Sequence, residues 1–271
     1  MNERVENQLK IETALHRAVA NSEFFLQYQP RVCTRTQQVI GVEALLRWKH
    51  PEWGIMPPSR FISHLEESGL IVLVGAWVIR EACRQNKSWQ DMGLSPICVS
   101  VNLSSRQFRS ESLVNTVRMA LAETRLDPSY LEMELTESLL VDNTENAILL
   151  MHTLKGLGIA LSIDDFGTGY SSLSYLKRFP IDCLKIDRSF ITDLANNTKD
   201  AAIVEAISAL AHSLGIRLVA EGVENTNQAR LLQEYGCTEM QGYLYSRPID
   251  ADQLVEVITR LNVSAITAKV A

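Results

Sequence analysis

The chain lacks the long apolar run that a membrane helix needs. Its longest, Leu70–Ile79, is ten residues, against the roughly 20 that span a bilayer. No membrane segment is expected. The N-terminus, Met1-Asn2-Glu3-Arg4, is charged and carries no apolar signal-peptide core. Cysteine is sparse: Cys33, Cys83, Cys98, Cys183 and Cys237 are odd in number and never spaced C-x-x-C. That usage fits reduced thiols of a cytoplasmic protein and argues against a disulfide scaffold. Histidine is no better placed for metal. His16, His50, His64, His152 and His212 form no H-x-H or H-x-x-x-H pair, so a His-rich zinc site is not expected. Positive charge is also short. Lys and Arg total 26 against 32 Asp and Glu, a net charge of -6. Nonspecific binding to a nucleic-acid polymer rests on Lys/Arg contacts, so that class is disfavoured. A small anion in a locally positive or metal-filled site remains compatible. Gly/Ser linkers, low-complexity stretches and internal repeats are missing too.

What is present is an alternation. Short β-branched or aromatic runs read as strands at Phe24–Val32, Gln38–Trp48, Ile97–Leu103, Tyr130–Thr136, Ile159–Asp164, Cys183–Ile186, Arg217–Glu221 and Glu239–Tyr243. Segments with helical spacing lie between most of them: Ser112–Thr124, Thr144–Leu157, Asp200–Leu214, Asn227–Tyr235 and Asp252–Leu261. Such alternation implies an α/β fold with a mainly parallel sheet. Eight strands in 271 residues suit a (β/α)8, TIM-like barrel of about 250 residues, and an open doubly wound sheet is the alternative. The first pair departs from the pattern. The short stretch Cys33–Gln38 separates them, and a parallel crossover needs about a dozen residues or more. Strands one and two are therefore expected to form an antiparallel hairpin, giving a modified barrel. The expected division is a lead-in helix over 1–22, the barrel over 23–262 and a tail over 263–271. Ile11, Leu15, Ala18 and Val19 give the lead-in its amphipathic spacing.

Active sites of such barrels lie at the C-terminal ends of the strands. In this chain the strand ends converge on polar groups: Glu43, Asn102, Glu134, the pair Asp164-Asp165, Lys185 with Asp187, Glu221, and Gln241. Any single acid is usually a solvated surface group, but the set follows apolar runs in register. Glu43, Glu134, Asp164, Asp165 and Glu221 would bring five negative charges to one rim, and like charges that close cannot all stay ionised without counterions. Two divalent cations beside Lys185 would nearly balance them. Oxygen ligands favour Mg²⁺ or Mn²⁺, and paired ions imply displacement at phosphorus or hydrolysis. Lys185 is read either as steadying the water or the developing charge, or as a salt-bridge partner of a neighbouring carboxylate. The Gly167-Thr168-Gly169 stretch is too weak for a nucleotide fingerprint and better suits a mobile active-site loop.

These residues carry a resemblance. Tyr28-Gln29-Pro30, Glu43-Ala44-Leu45-Leu46-Arg47-Trp48, His50-Pro51…Gly54…Pro57…Phe61-Ile62, Val101-Asn102-Leu103-Ser104 and Glu134-Leu135-Thr136-Glu137 occur in order. Asp164-Asp165-Phe166-Gly167-Thr168-Gly169-Tyr170-Ser171-Ser172-Leu173, Leu184-Lys185-Ile186-Asp187, Ala220-Glu221-Gly222-Val223-Glu224 and Gln241-Gly242-Tyr243 follow. The ordered set, over roughly Ile11 to Leu261, resembles the EAL domain family of cyclic di-GMP phosphodiesterases. The resemblance implies Mg²⁺- or Mn²⁺-dependent hydrolysis of one phosphodiester to linear pGpG. It implies one metal held by Glu43, Asn102, Glu134 and Asp164, with Asp164 bridging to a second served by Asp165 and Glu221. Whether Glu221 is also a general base stays open. Lys185 would hold the attacking water. Arg47 would meet a substrate phosphate, and Gln29, Leu45, Asp187 and Gln241 would contact the nucleotide. Glu137 would anchor the Asp165–Leu173 loop, which in this family connects to a homodimer interface. Phe179 and Tyr245 depart slightly from the family pattern and keep an apolar or aromatic position. The family also contains receptors that bind without turnover, and these lack metal ligands that are all present here. A metal-dependent barrel enzyme acting on sugars or enolates is a more distant alternative. A chain of this kind is expected either alone or within a longer protein carrying sensor or GGDEF domains.

Overall fold

A computed structural model describes residues 2–137, 139, 144–168 and 176–270. In chain order the elements are α1 (Asn2–Ala20), β1 (Phe24–Cys33), β2 (Val39–His50), β3 (Gly54–Met56), α2 (Ile62–Ser68), α3 (Ile71–Asp91), β4 (Cys98–Leu103), α4 (Ser105–Phe108), α5 (Leu113–Thr124) and β5 (Leu131–Thr136). They continue as α6 (Thr144–Lys155), β6 (Ala160–Phe166), β7 (Cys183–Ile186), α7 (Ser189–Thr192), α8 (Thr198–Leu214), β8 (Arg217–Ala220), α9 (Thr226–Glu234), β9 (Glu239–Gln241) and α10 (Ala251–Val270).

The sheet runs β1-β9-β8-β7-β6-β5-β4-β2-β3, and a further β1–β2 pairing closes it. Eight strands form the barrel, and β3 is an added edge strand on β2. The expected hairpin is present: β1 pairs antiparallel with β2, Gln29 opposite Glu43, and antiparallel with β9. The pairs from β2 through β4 to β9 are parallel. The closed barrel thus replaces the open-sheet alternative.

Helices cover the barrel because alternate strand residues point outward and are apolar. Tyr28 on β1 meets Trp89 of α3 edge to face, ring centroids 4.8 Å apart, and both side chains are buried. Asn86 of α3 is wholly buried and satisfies the carbonyls of Ile97 and Tyr130 at 2.9 and 3.2 Å. Leu70–Ile79, the run too short for a membrane, is the start of this helix. Its Ile71, Val74, Val78 and Ile79 are buried. Among the described residues no helix is long and apolar enough to cross a membrane. At the C-terminus, α10 continues to Val270, so the expected boundary at residue 262 falls inside a helix. Asn262 helps hold it there, its Oδ1 accepting the Val39 N–H at 2.9 Å.

The barrel interior is polar in two layers. At the lower level Arg31 is buried between Glu132 (2.7 Å) and Glu239 (2.9 Å), and Arg217 reaches both carboxylates at 2.5 and 2.9 Å. Two Arg and two Glu leave this floor neutral. Gly41 opposite Arg31 has a packing reason: a Cβ there would lie 2.9 Å from the guanidinium. Burial opposes ionisation of Glu132, yet Arg31 and Arg217 outweigh it and hold the carboxyl down at about 2.

Candidate active site

Two residues further along β5, β7 and β9, the interior changes character. Glu134, Lys185 and Gln241 stand above Glu132, Cys183 and Glu239, since every second residue of a strand faces the same way. Lys185 is fully buried. Its Nζ lies 2.6 Å from Glu134 Oε2, 2.6 Å from Glu221 Oε1, 3.2 Å from Asp164 Oδ1 and 3.8 Å from Glu43 Oε2. One ammonium therefore faces four carboxylates from β2, β5, β6 and the end of β8.

The carboxylates are held from behind. Glu43 accepts from Asn102 Nδ2 at 2.7 Å and from Gln241 Nε2, which also donates to Gln29 Oε1 at 3.1 Å. Asp164 and Asp165 are neighbours on β6, where a regular strand would turn them to opposite faces. The ladder is irregular between Ile163 and Phe166, and Asp165 has φ 54°. A bulge of this kind re-aims side chains beside active sites. Asp164, Asp165 and Glu221 consequently offer oxygens all within 4.8 Å of one another, a spacing that can hold a metal ion.

The titration of these groups follows from excess negative charge in a buried space. Burial raises Glu134 well above the usual carboxylate range against the pull of Lys185, and Glu43, Asp164 and Glu221 add to the rise. Burial likewise pushes Glu221 up to about 8, opposed by Lys185 and reinforced by Asp164. Asp165 rises to about 6 through burial and its neighbours Asp164 and Asp187. Burial also works against Glu43, but Lys185, Gln241 and Asn102 prevail and keep it below the ordinary value. Lys185 loses by burial and gains more from the four carboxylates, so it stays charged.

Above this layer opens a cleft of about 330 Å³. Of the residues singled out in the sequence, Gln29, Glu43, Leu45, Asp164, Glu221 and Gln241 line it. Glu134 and Lys185 lie buried beside it, and Asn102 and Asp165 flank the carboxylates. Two of the expected substrate contacts stand beside these residues. Arg47 donates to Gln27 Oε1 and the Leu46 carbonyl, each at 2.9 Å, and lies near enough to the Glu43 carboxylate to feel its charge. Asp187 accepts the Ser189 N–H at 3.0 Å beside Asp165. Glu137 is buried, with Oε2 accepting the Gly167 N–H at 3.0 Å. Residues 169–175, the larger part of the expected loop, lie outside the described residues. Four side chains of the cleft wall had been given no role: Arg188 and Thr192, and Glu224 and Tyr243, which stood in the quoted motifs without an assignment. Three of them follow strand ends by a few positions, and counting only the first polar residue past each strand passed over them.

Taken together, the chain is a closed α/β barrel with a carboxylate-rich, lysine-centred mouth whose acidic cluster could hold a metal ion. The chain belongs to the EAL domain family, whose model matches residues 12–248. It is 46% identical over 255 residues to the bifunctional diguanylate cyclase/cyclic di-GMP phosphodiesterase MucR of Pseudomonas aeruginosa, covering 94% of this chain and 37% of that protein. It is 41% identical over 251 residues to the cyclic di-GMP phosphodiesterase PdeR of Escherichia coli, covering 93% of this chain and 38% of that one. The chain thus spans about a third of the length of the curated relatives it matches. A solved structure described as the PaMucR phosphodiesterase in complex with c-di-GMP superposes with a TM-score of 0.88 at 46% identity, over 90% of this chain and 99% of that one.

Proposed function

We propose that this chain hydrolyses one phosphodiester of cyclic di-GMP to linear pGpG, using two divalent ions, Mg²⁺ or Mn²⁺. The observation that carries the reading is the convergence of Glu43, Glu134, Asp164 and Glu221 on one buried lysine at the barrel mouth, in a chain 46% identical to the PaMucR phosphodiesterase.

The residues fit such ions. The donors are oxygens only, and Glu134 Oε1 is buried with no hydrogen-bond partner, as an oxygen reserved for a cation would be. Glu43, Asn102, Glu134 and Asp164 would hold one ion, and Asp164, Asp165 and Glu221 the other. Bound there, the ions supply Lewis acidity and a water of lowered pKa. The chain's own groups do the rest. Asn102 and Gln241 fix both oxygens of Glu43. Lys185 donates from Nζ to the water that attacks phosphorus. Glu221, its Oε1 2.6 Å from Lys185 Nζ, would stand beside that water as a metal ligand or as the acceptor of its proton. The P–O3′ bond breaks, leaving a 5′-phosphate and a 3′-hydroxyl. Glu137 holds Gly167, and through it the start of the loop that follows Asp165. In the family resemblance that loop leads to a dimer interface, so a homodimer is part of the proposal. So is placement on the cytoplasmic side, where the nucleotide is handled, and fusion to sensor or GGDEF domains.

The test is turnover of cyclic di-GMP by the purified chain with Mn²⁺ or Mg²⁺, abolished by chelator. Glu43→Ala should lose activity while keeping its far-ultraviolet circular dichroism. Tight binding by the unmodified chain with no turnover under either metal would replace the enzyme by a receptor.

A further inference from the structure

Away from the barrel mouth, a second set of metal-ligating side chains gathers where the lead-in helix α1 meets α2. Glu12 of α1 and His64 and Glu67 of α2 each offer one ligand atom, and these atoms all lie within 4.8 Å of one another. The packing of the two helices puts them there. Leu15, three residues beyond Glu12, is fully buried, as is Leu65 beside His64, and Ala14 and Ala18 are buried with them. Positions three apart share a helix face, so Glu12 stands over Leu15 at the edge of the seam, and His64 stands beside Glu67. Glu12 and His64 are half-buried, and Glu67 is exposed. The backbone under Glu67 is held, because Arg106 Nη1 donates to the Glu66 and Glu67 carbonyls at 2.6 and 3.3 Å. His64 Nδ1 is buried with no hydrogen-bond partner. A polar atom shut off from water normally has one, and an imidazole lone pair left this way is a ligand without an occupant. None of the three residues lines the cleft or belongs to its carboxylate cluster.

We infer that Glu12, His64 and Glu67 form a divalent-cation site of the zinc class, separate from the ions at the barrel mouth, that ties α1 to α2. One imidazole with two carboxylates is a mixed nitrogen and oxygen set. Imidazole suits Zn²⁺ and its neighbours, whereas oxygen-only sites suit Mg²⁺ and Mn²⁺. Three protein ligands with water as the fourth is a common zinc arrangement. Ligands about 2.0–2.2 Å from a tetrahedral ion stand about 3.4 Å apart, so rotation of the two glutamate side chains closes the set. The site needs one histidine, so the missing H-x-H and H-x-x-x-H pairs do not bear on it. His64 and Glu67 supply the paired ligands from one helix, and Glu12 supplies the third from another. A cation there joins the two helices through a polar clamp beside their apolar seam.

The experiment titrates the whole chain with Co²⁺ in excess Mg²⁺, above about pH 7 so that the imidazole is neutral. Visible absorption reports nitrogen-ligated Co²⁺, and equilibrium dialysis counts the ions bound. Glu12→Gln and His64→Ala should each weaken one Co²⁺ at least about ten-fold, the low end for disturbing even a group behind a metal ligand. Glu43→Ala, which disturbs the barrel mouth, should keep that ion and its absorption. Zn²⁺ should raise the Tm of the unmodified chain and of Glu43→Ala, since a cation bound only by the folded chain stabilises it. The same Zn²⁺ should raise the Tm of Glu12→Gln less. Glu12→Gln changes no shape, so it decides the matter if His64→Ala fails to fold. Co²⁺ binding unchanged in Glu12→Gln, or no bound ion beyond those that Glu43→Ala loses, overturns the site.

Discussion

Replacing Lys185 with Met separates two roles that the geometry assigns to one side chain. Its Nζ is the described cation within 4 Å of Glu43, Glu134, Asp164 and Glu221. Met has similar length and no charge. Without metal, the variant leaves four buried or nearly buried carboxylates facing one another. Removing one partner of a buried ion pair costs about 3–5 kcal/mol. At roughly 2 °C per kcal/mol for a domain somewhat over 200 residues, the expected fall in Tm is about 6–10 °C in chelator at pH 8. Two outcomes should follow. Saturating Mn²⁺ should recover most of the lost stability, because cations replace the missing charge where the ammonium stood. Activity should stay lost in the same Mn²⁺, because the donor to the attacking water is gone. Denaturation followed by circular dichroism, with and without metal, measures the first, and nucleotide turnover the second. A variant as stable as the parent in chelator would refute the counterion argument. Activity near the parent's in Mn²⁺ would refute the water-holding role.

Metal affinity should rise with pH. Glu221 titrates at about 8 and Asp165 at about 6 without metal, both raised, so each is protonated below its value and must release that proton to bind a cation. The half-saturating Mn²⁺ concentration should fall as pH climbs from 6 to 8 and level above 8, which calorimetry in buffers of different ionisation heat can check by proton release. Glu137→Ala removes the acceptor of the Gly167 N–H. Losing one part-buried hydrogen bond costs about 1 kcal/mol, and activity should drop while Mn²⁺ binding changes little. A turnover rate equal to the parent's would remove the anchoring role. Arg31→Met, on the barrel floor, strands Glu132 and Glu239 with Arg217 alone. It should cost about 3–5 kcal/mol in urea denaturation.

Much of the barrel and its mouth was legible because both follow from chain geometry. The short Cys33–Gln38 connection forced the β1–β2 hairpin, and the first polar residue past each apolar run located the carboxylates. Other features were hidden for physical reasons. Leu70–Ile79 is too uniformly apolar to show helical periodicity, so α3 escaped notice. β3 is three residues long and carries no pattern. The floor of Arg31, Glu132, Arg217 and Glu239 lies within strands, where charged residues read as outward-facing. The two-residue spacing of Glu132 and Glu134 was the available signal, since both must face the same way. The local bonds of Arg47 to Gln27 and of Asp187 to the Ser189 N–H are likewise not visible in spacing. Arg188, Glu224 and Tyr243 reach the cleft through loop conformation, which depends on contacts such as Gly222 against Arg188 that only the folded chain displays.

The most direct test of the central claim is hydrolysis of cyclic di-GMP in oxygen-18 water with Mn²⁺, with mass analysis of the product. Attack by water on phosphorus predicts linear pGpG carrying one heavy oxygen in its terminal 5′-phosphate. Recovery of intact cyclic di-GMP bound tightly to the chain, or a product with no label in its phosphate, would contradict it.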